Sequence, residues 1–72
     1  MRFDYTHLQA LAAILHSGSF ESAAAELGVT QSAISQRLKA LEDRVGTRLV
    51  HRGQPCTGTD VGRRLAAHMA NV

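Results

Sequence analysis

Apolar residues recur along this chain at three- and four-residue steps, the spacing that lines one side of an α-helix, and capping residues punctuate the runs. Asp4 stands before the first run, Leu8, Leu11, Ala12 and Leu15, and Gly18 ends it. Ser19 opens a second, shorter run of Phe20, Ala23, Ala24 and Leu27, which Gly28 ends. Thr30 opens the third, with Ile34, Leu38, Leu41 and Val45 on one stripe and Gly46 after it. Asp, Ser and Thr ahead of a helix accept from its free N–H groups, and a following glycine takes the left-handed conformation that stops it. Val29 is placed to staple onto Ile34 and so fix how the chain enters the third helix.

The third helix, predicted over Thr30–Val45, has an unusual second side. Gln31, Ser32, Ser35, Gln36 and Lys39 fall on an arc roughly 140° wide, away from the apolar stripe. A merely solvated face would carry Glu and Lys, which favour the helix more than Ser does. Two Ser and two Gln in the first two turns cost propensity. A surface that reads base edges is one reason to accept that cost; an ordinary solvated face is the other reading.

Only Gly28, Val29 and Thr30 separate the second helix from the third. So short a connection predicts a sharp corner rather than an antiparallel hairpin, with Gly28 at positive φ. Ala24 is small enough for the two helices to approach, and Ile34 plugs the angle between them. This is the sequence form of a helix-turn-helix. Beyond Gly46, Thr47–Arg52 has β character in Leu49 and Val50. Gly53, Gln54 and Pro55 form a turn, and Cys56–Gly58 a return segment. Strands this short need the helices beneath them, as a small wing would have. Thr59 caps a last helix, with Asp60 favourable at its positive end and Val61, Leu65, His68, Met69 and Val72 on one side. No stop signal follows, so the chain is expected to be part of a longer one.

Composition narrows the chemistry. Seventy-two residues make one small domain with a modest core. The lone Cys56 excludes an internal disulfide and offers no zinc pattern; the default for its side chain is a small hydrophobe in the wing. His7, His16, His51 and His68 share no metal-ligand spacing with Cys56 or the acids, and no metal or other cofactor is expected. The acids show no pairing suited to acid–base catalysis and no Gly-rich phosphate loop exists, so the chain is not expected to be an enzyme. No apolar run is long enough to cross a membrane and no signal-peptide pattern stands at the N-terminus, which makes the cytoplasm the default compartment.

The net charge of +2 is ordinary, but its distribution is not. Residues 1–29 set Arg2 against Asp4, Glu21 and Glu26, a net −2. Residues 30–72 set Arg37, Lys39, Arg44, Arg48, Arg52, Arg63 and Arg64 against Glu42, Asp43 and Asp60, a net +4. The positive half begins at the third helix, as a phosphate-facing surface requires.

With these residues in view, Ser17–Arg52 resembles the N-terminal winged helix-turn-helix of LysR-type transcriptional regulators. The resemblance rests on Ser19, Phe20, Ala23 and Ala24 in the second helix and on Gln31, Ser32 and Ser35 in the third. Leu41, Glu42, Gly46 and Arg52 complete it. Typical members reach the last helix through a Leu-Thr pair. This chain has Gly58-Thr59 and a wing one residue shorter, with Pro55 in it. That departure resembles the lysine/arginine-export regulator branch of the family (the LysG and ArgP type).

The resemblance implies a mainly α fold: a three-helix core with a small wing over residues 1–58, then a truncated linker or dimerisation helix over 59–72. It implies binding of double-stranded DNA, with Gln31, Ser32, Ser35 and Gln36 against base edges in the major groove. Gln carries the donor and acceptor that adenine matches, and Ser reaches several base atoms directly or through water. Thr30, Lys39 and Arg48 are candidate phosphate contacts, as is Ser19 at a helix start. Arg52 would enter the minor groove beside the wing; its other reading is a rim salt bridge. Arg37, beside the apolar stripe, either packs its stem or touches DNA. Arg44, Arg63 and Arg64 are left as surface charges, and His51 is a possible backbone contact.

The family's last helix pairs with its twin, so a homodimer seam through Val61, Leu65, Met69 and Val72 is expected, shortened here. An effector amino acid, lysine or arginine on the branch resemblance, would act only through a further domain that these residues do not supply. The regulated gene would be an amino-acid exporter's, and the setting the bacterial nucleoid. A competing reading from another class is a helical protein–protein interaction module that binds no DNA. Salt separates the two: phosphate contacts weaken steeply with it, while an apolar interface responds little.

Overall fold

The computed structural model describes residues 4–70, and side chains through His68. Its elements are α1 (Tyr5–Ser17), α2 (Phe20–Leu27), α3 (Gln31–Val45), β1 (Val50–His51), β2 (Thr57–Gly58) and α4 (Asp60–Ala70). Each helix starts where a side chain accepts from its first turn. Asp4 accepts from the Thr6 N–H at 2.9 Å and the Thr6 hydroxyl at 2.7 Å, and the hydroxyl bond is the chief reason its carboxyl sits below the ordinary 3.8. Ser19 accepts from the Ser22 N–H at 3.0 Å, Thr30 from Ala33 at 3.1 Å and Thr59 from Gly62 at 3.1 Å.

The corner between α2 and α3 depends on Gly28, at φ +69°. Its N–H donates to the Ala25 carbonyl at 3.3 Å, and the Val29 N–H to Ala24 at 2.9 Å. Those paired bonds close the helix only when the residue after it is left-handed, which a side chain resists. The turn swings α3 across α1 and α2. Ala10, Leu11, Ile14, Ala23, Ala24, Ile34, Leu38 and Leu41 then meet in one core, with Leu49 and Val50 of the wing covering its edge. Every apolar position assigned to α3 faces that core or its rim; Val29 packs on the rim, as a staple should.

The wing is smaller than its β propensity suggests. Expected strands Thr47–Arg52 and Cys56–Gly58 reduce to two residues each, antiparallel, with Val50 opposite Gly58 and His51 opposite Thr57. The reason is competition for the backbone. The Leu49 N–H is taken by the Glu42 carboxylate at 2.8 Å. The Thr59 hydroxyl donates to the Arg48 carbonyl at 2.8 Å, and the Thr59 N–H to the Leu49 carbonyl at 3.1 Å. On the other strand, the Cys56 N–H donates to the Gly18 carbonyl at 2.7 Å. The Thr59-to-Leu49 bond joins the next pair in register, but its return bond is lost because Glu42 holds the Leu49 N–H. The Arg48 carbonyl and Cys56 N–H are likewise taken by groups outside the ladder, so it stops. The Gln54–Pro55 peptide in the loop is cis, and Cys56 is buried with its thiol 3.5 Å from the Gly53 carbonyl.

Helix α4 lies against α1 and the wing. Leu65 is half-buried against the shared core, so part of its surface is spent within the chain, whereas Val61 stays 36% exposed. Val72 and the Met69 side chain, the remaining seam candidates, lie outside the described residues. Arg63 is more than the surface charge expected of it. It donates to the Gly58 carbonyl at 3.2 Å and to the Asp60 carboxylate, bracing the end of β2.

The approach of α4 to the wing is set by Gly62. A Cβ there would lie 2.0 Å from the Leu49 carbonyl oxygen, which is backbone and cannot step aside. Gly62→Ala is therefore expected to destabilise the fold by about 1–3 kcal/mol, outweighing the usual helix gain of roughly 0.5–1 kcal/mol for that change. Urea unfolding measures it; an unchanged or raised midpoint would contradict so close a contact.

Candidate nucleic-acid interface

The side of α3 turned away from the core carries the polar arc. Thr30, Gln31, Ser32, Gln36 and Lys39 are exposed, and Ser35 is partly so. Among the described residues, the side chains of Gln31, Ser32, Ser35 and Gln36 have no intramolecular hydrogen-bond partner, and no other segment covers Gln31 or Gln36. Their donors and acceptors are unspent. Thr30 uses one hydroxyl lone pair as the cap and retains its proton for a second partner, and Ser19 is in the same position at α2.

Ser35 and Lys39 line one groove with Glu42, Arg48 and Arg52. The fold thus brings the wing cations beside the α3 face. Lys39 has a loose partner one turn on, Asp43 at 3.8 Å, both exposed. Such a pair is worth little and is readily exchanged for a phosphate. Glu42 is the acid of the groove, and its carboxylate is turned to the Leu49 N–H, where it fixes the root of the wing against α3.

Arg52 is exposed at the end of β1, and its guanidinium carbon sits 4.6 Å from the centroid of the Phe20 ring. A salt bridge was the alternative for this side chain; the partner is an aromatic face instead. Arg37 is half-buried, which agrees with its stem packing beside the stripe. The outlying histidine His16 pairs with Glu26 at 3.2 Å, clipping the ends of α1 and α2 together at an exposed position. Among the described residues, no group of three or more His, Cys, Asp or Glu is arranged to hold a metal ion, and no helix is long and apolar enough to cross a membrane.

Three contributions lay beyond sequence reasoning: Glu42 as the wing's anchor, Phe20 as the seat of Arg52, and the Thr59 hydroxyl as a donor to Arg48. Each is a contact between elements, and helical periodicity reports only which face a residue occupies. Glu42 carried the one available signal, a carboxylate beside the apolar stripe at the end of a helix that the next segment must cross.

Three helices with a left-handed corner, a polar outer face on the third and a two-stranded flap beside it define a winged helix-turn-helix. The family model for bacterial regulatory helix-turn-helix proteins of the lysR family matches residues 5–63. The chain is 53% identical over 70 residues to the HTH-type transcriptional regulator ArgP of Pseudomonas fluorescens, covering 97% of this chain and 24% of that protein. It is 50% identical over 72 residues to the HTH-type transcriptional regulator LysG of Mycobacterium bovis, covering 96% of this chain and 24% of that one. Among solved structures, it superposes with a TM-score of 0.89 and 27% identity on the BenM DNA-binding domain in complex with benA site 1 DNA, covering 96% of this chain and 79% of that chain. The chain belongs to the LysR family of bacterial regulatory helix-turn-helix proteins. It is similar to regulators of the ArgP and LysG type and spans about a quarter of their length.

The wing's attachment is open to test through Glu42. Glu42→Ala leaves the Leu49 N–H without its acceptor, and is expected to cost about 1–3 kcal/mol. Glu42→Gln keeps an oxygen there and should cost less. Amide exchange at Leu49 together with urea unfolding reads both; equal behaviour of the two variants would mean that this bond does not hold the wing.

Proposed function

We propose that this chain is the DNA-reading part of a bacterial transcription regulator, with α3 in the major groove and the wing beside the minor groove. The observation that carries the reading is the set of exposed, unpartnered amide and hydroxyl groups on the first half of α3. Gln31 and Gln36 pair with adenine edges, and Ser32 and Ser35 contact neighbouring base atoms. Thr30, Lys39, Ser19 and Arg48 bind phosphates and set register without reading sequence. Arg52 enters the minor groove, where narrow A·T-rich tracts concentrate negative potential. The similarity to the DNA-bound BenM domain supports this placement.

Helix α4 belongs to a helix through which two copies pair, with Val61 on the outer side and Leu65 contributing what the core leaves of it. An effector amino acid, lysine or arginine, acts through a part of such regulators other than the DNA-reading residues matched in ArgP and LysG. The regulated gene serves amino-acid export, and the complex works in the cytoplasm at the nucleoid. Similarity to ArgP and LysG supports the branch.

Gln31→Ala or Gln36→Ala is expected to reduce preference for a selected site over random duplex by about 1–3 kcal/mol, while Lys39→Ala weakens binding to both alike. Fluorescence anisotropy across a salt series reads these effects. Loss of all DNA affinity in equal measure from every variant would refute base reading by α3, and a flat salt response would favour protein docking instead. A longer chain that continues α4 is expected to bind a palindrome more tightly than this one, because a single module covers half of a two-fold site. Titration of both chains on one palindrome measures the gain, and equal affinities would rule out the seam.

A further inference from the structure

Arg52 is an exposed arginine at the tip of a two-residue strand, and a side chain so placed ordinarily samples many rotamers. Here its guanidinium lies over the Phe20 ring, 4.6 Å from the centroid. Among the described residues, Arg52 donates to no carbonyl or carboxylate, so its N–H donors are not consumed within the chain. Phe20 is the first residue of α2, directly after the Ser19 cap, and is half-buried against the core. The ring is therefore fixed by the three-helix core, while its face is turned to the wing.

We infer that Phe20 is a positioning residue for DNA binding: its ring holds the Arg52 guanidinium in place before the duplex arrives. This rests on Arg52 being the groove-entering residue of the wing. An aromatic face attracts a cation without using its hydrogen-bond donors, unlike a carboxylate, which would also neutralise the charge. Arg52 thus keeps both its full positive charge and its donors while losing much of its rotamer freedom. Binding then costs less ordering entropy, since a long side chain already restrained has less freedom left to lose. The stack also ties the wing to the start of α2, so the arginine keeps a set distance from the Ser19 hydroxyl and the N-terminus of that helix.

The test uses this chain and the duplex it recovers from a randomised pool, prepared with A·T-rich and with G·C-rich flanks. Phe20→Leu keeps an apolar plug and removes the ring face. It is expected to weaken binding to the A·T-flanked duplex about two- to five-fold, the range of an exposed cation–π contact, and to shrink the preference for A·T flanks. In an Arg52→Ala background the same change is expected to do nothing further, and Phe20→Tyr is expected to restore parental binding. Equal losses from Phe20→Leu in both backgrounds would show that Phe20 acts through the fold alone and would overturn the positioning role, leaving the wing arginine's own role intact. If Arg52→Ala binds as tightly as the parent, the minor-groove reading of Arg52 fails and takes this inference with it. Free of any DNA, the Arg52 side-chain protons of the parent chain are expected to be shifted upfield by the ring current in NMR spectra. Ordinary random-coil positions there would overturn the stack directly.

Discussion

Leu49 is the joint of this molecule. Its side chain is fully buried, its N–H is held by the Glu42 carboxylate of α3, and its carbonyl accepts from Thr59 at the start of α4. The same carbonyl is the atom against which Gly62 leaves no room for a side chain. One residue between two helices thus fixes three relationships: core to wing, wing to α3, and wing to α4. A small domain has few core residues to spend on orientation, so backbone hydrogen bonds to side chains at element ends take over much of that work.

The division of labour along α3 follows from the same economy. Its stripe of Ile34, Leu38 and Leu41 is buried to the last few per cent, and on the opposite arc Gln31, Ser32, Ser35 and Gln36 find no hydrogen-bond partner among the described residues. A side chain is either anchored or available, and the corner at Gly28 decides which, because it sets the angle at which the helix meets α1 and α2. The charge distribution fits that geometry. Cations cluster along the outer edge of α3 and the wing, and Glu42 in their midst is occupied with the backbone. A carboxylate free to face outward in that groove would oppose a phosphate; one spent on an N–H opposes it less.

Much of this architecture was legible from the residues. Asp4, Ser19, Thr30 and Thr59 each cap a helix as their chemistry requires, and the polar arc of α3 faces outward as periodicity implied. These are local properties, decided within one or two turns. What periodicity could not show was contact across elements. The wing strands came out at two residues because Glu42, Thr59 and Gly18 compete for backbone groups that β propensity alone would assign to the ladder. Arg63 found the Gly58 carbonyl and Arg52 found Phe20 for the same reason: a partner distant in sequence leaves no mark on spacing. The wing arginine's place in the family pattern identified it as important but said nothing of what holds it.

The missing side chain at position 62 has a mechanical consequence. With the first turn of α4 seated on the Leu49 backbone, a tilt of the helix toward the flap meets backbone with no side chain between them to give way. A push on the helix would then be felt at the flap, much as a lever carries motion across its bearing.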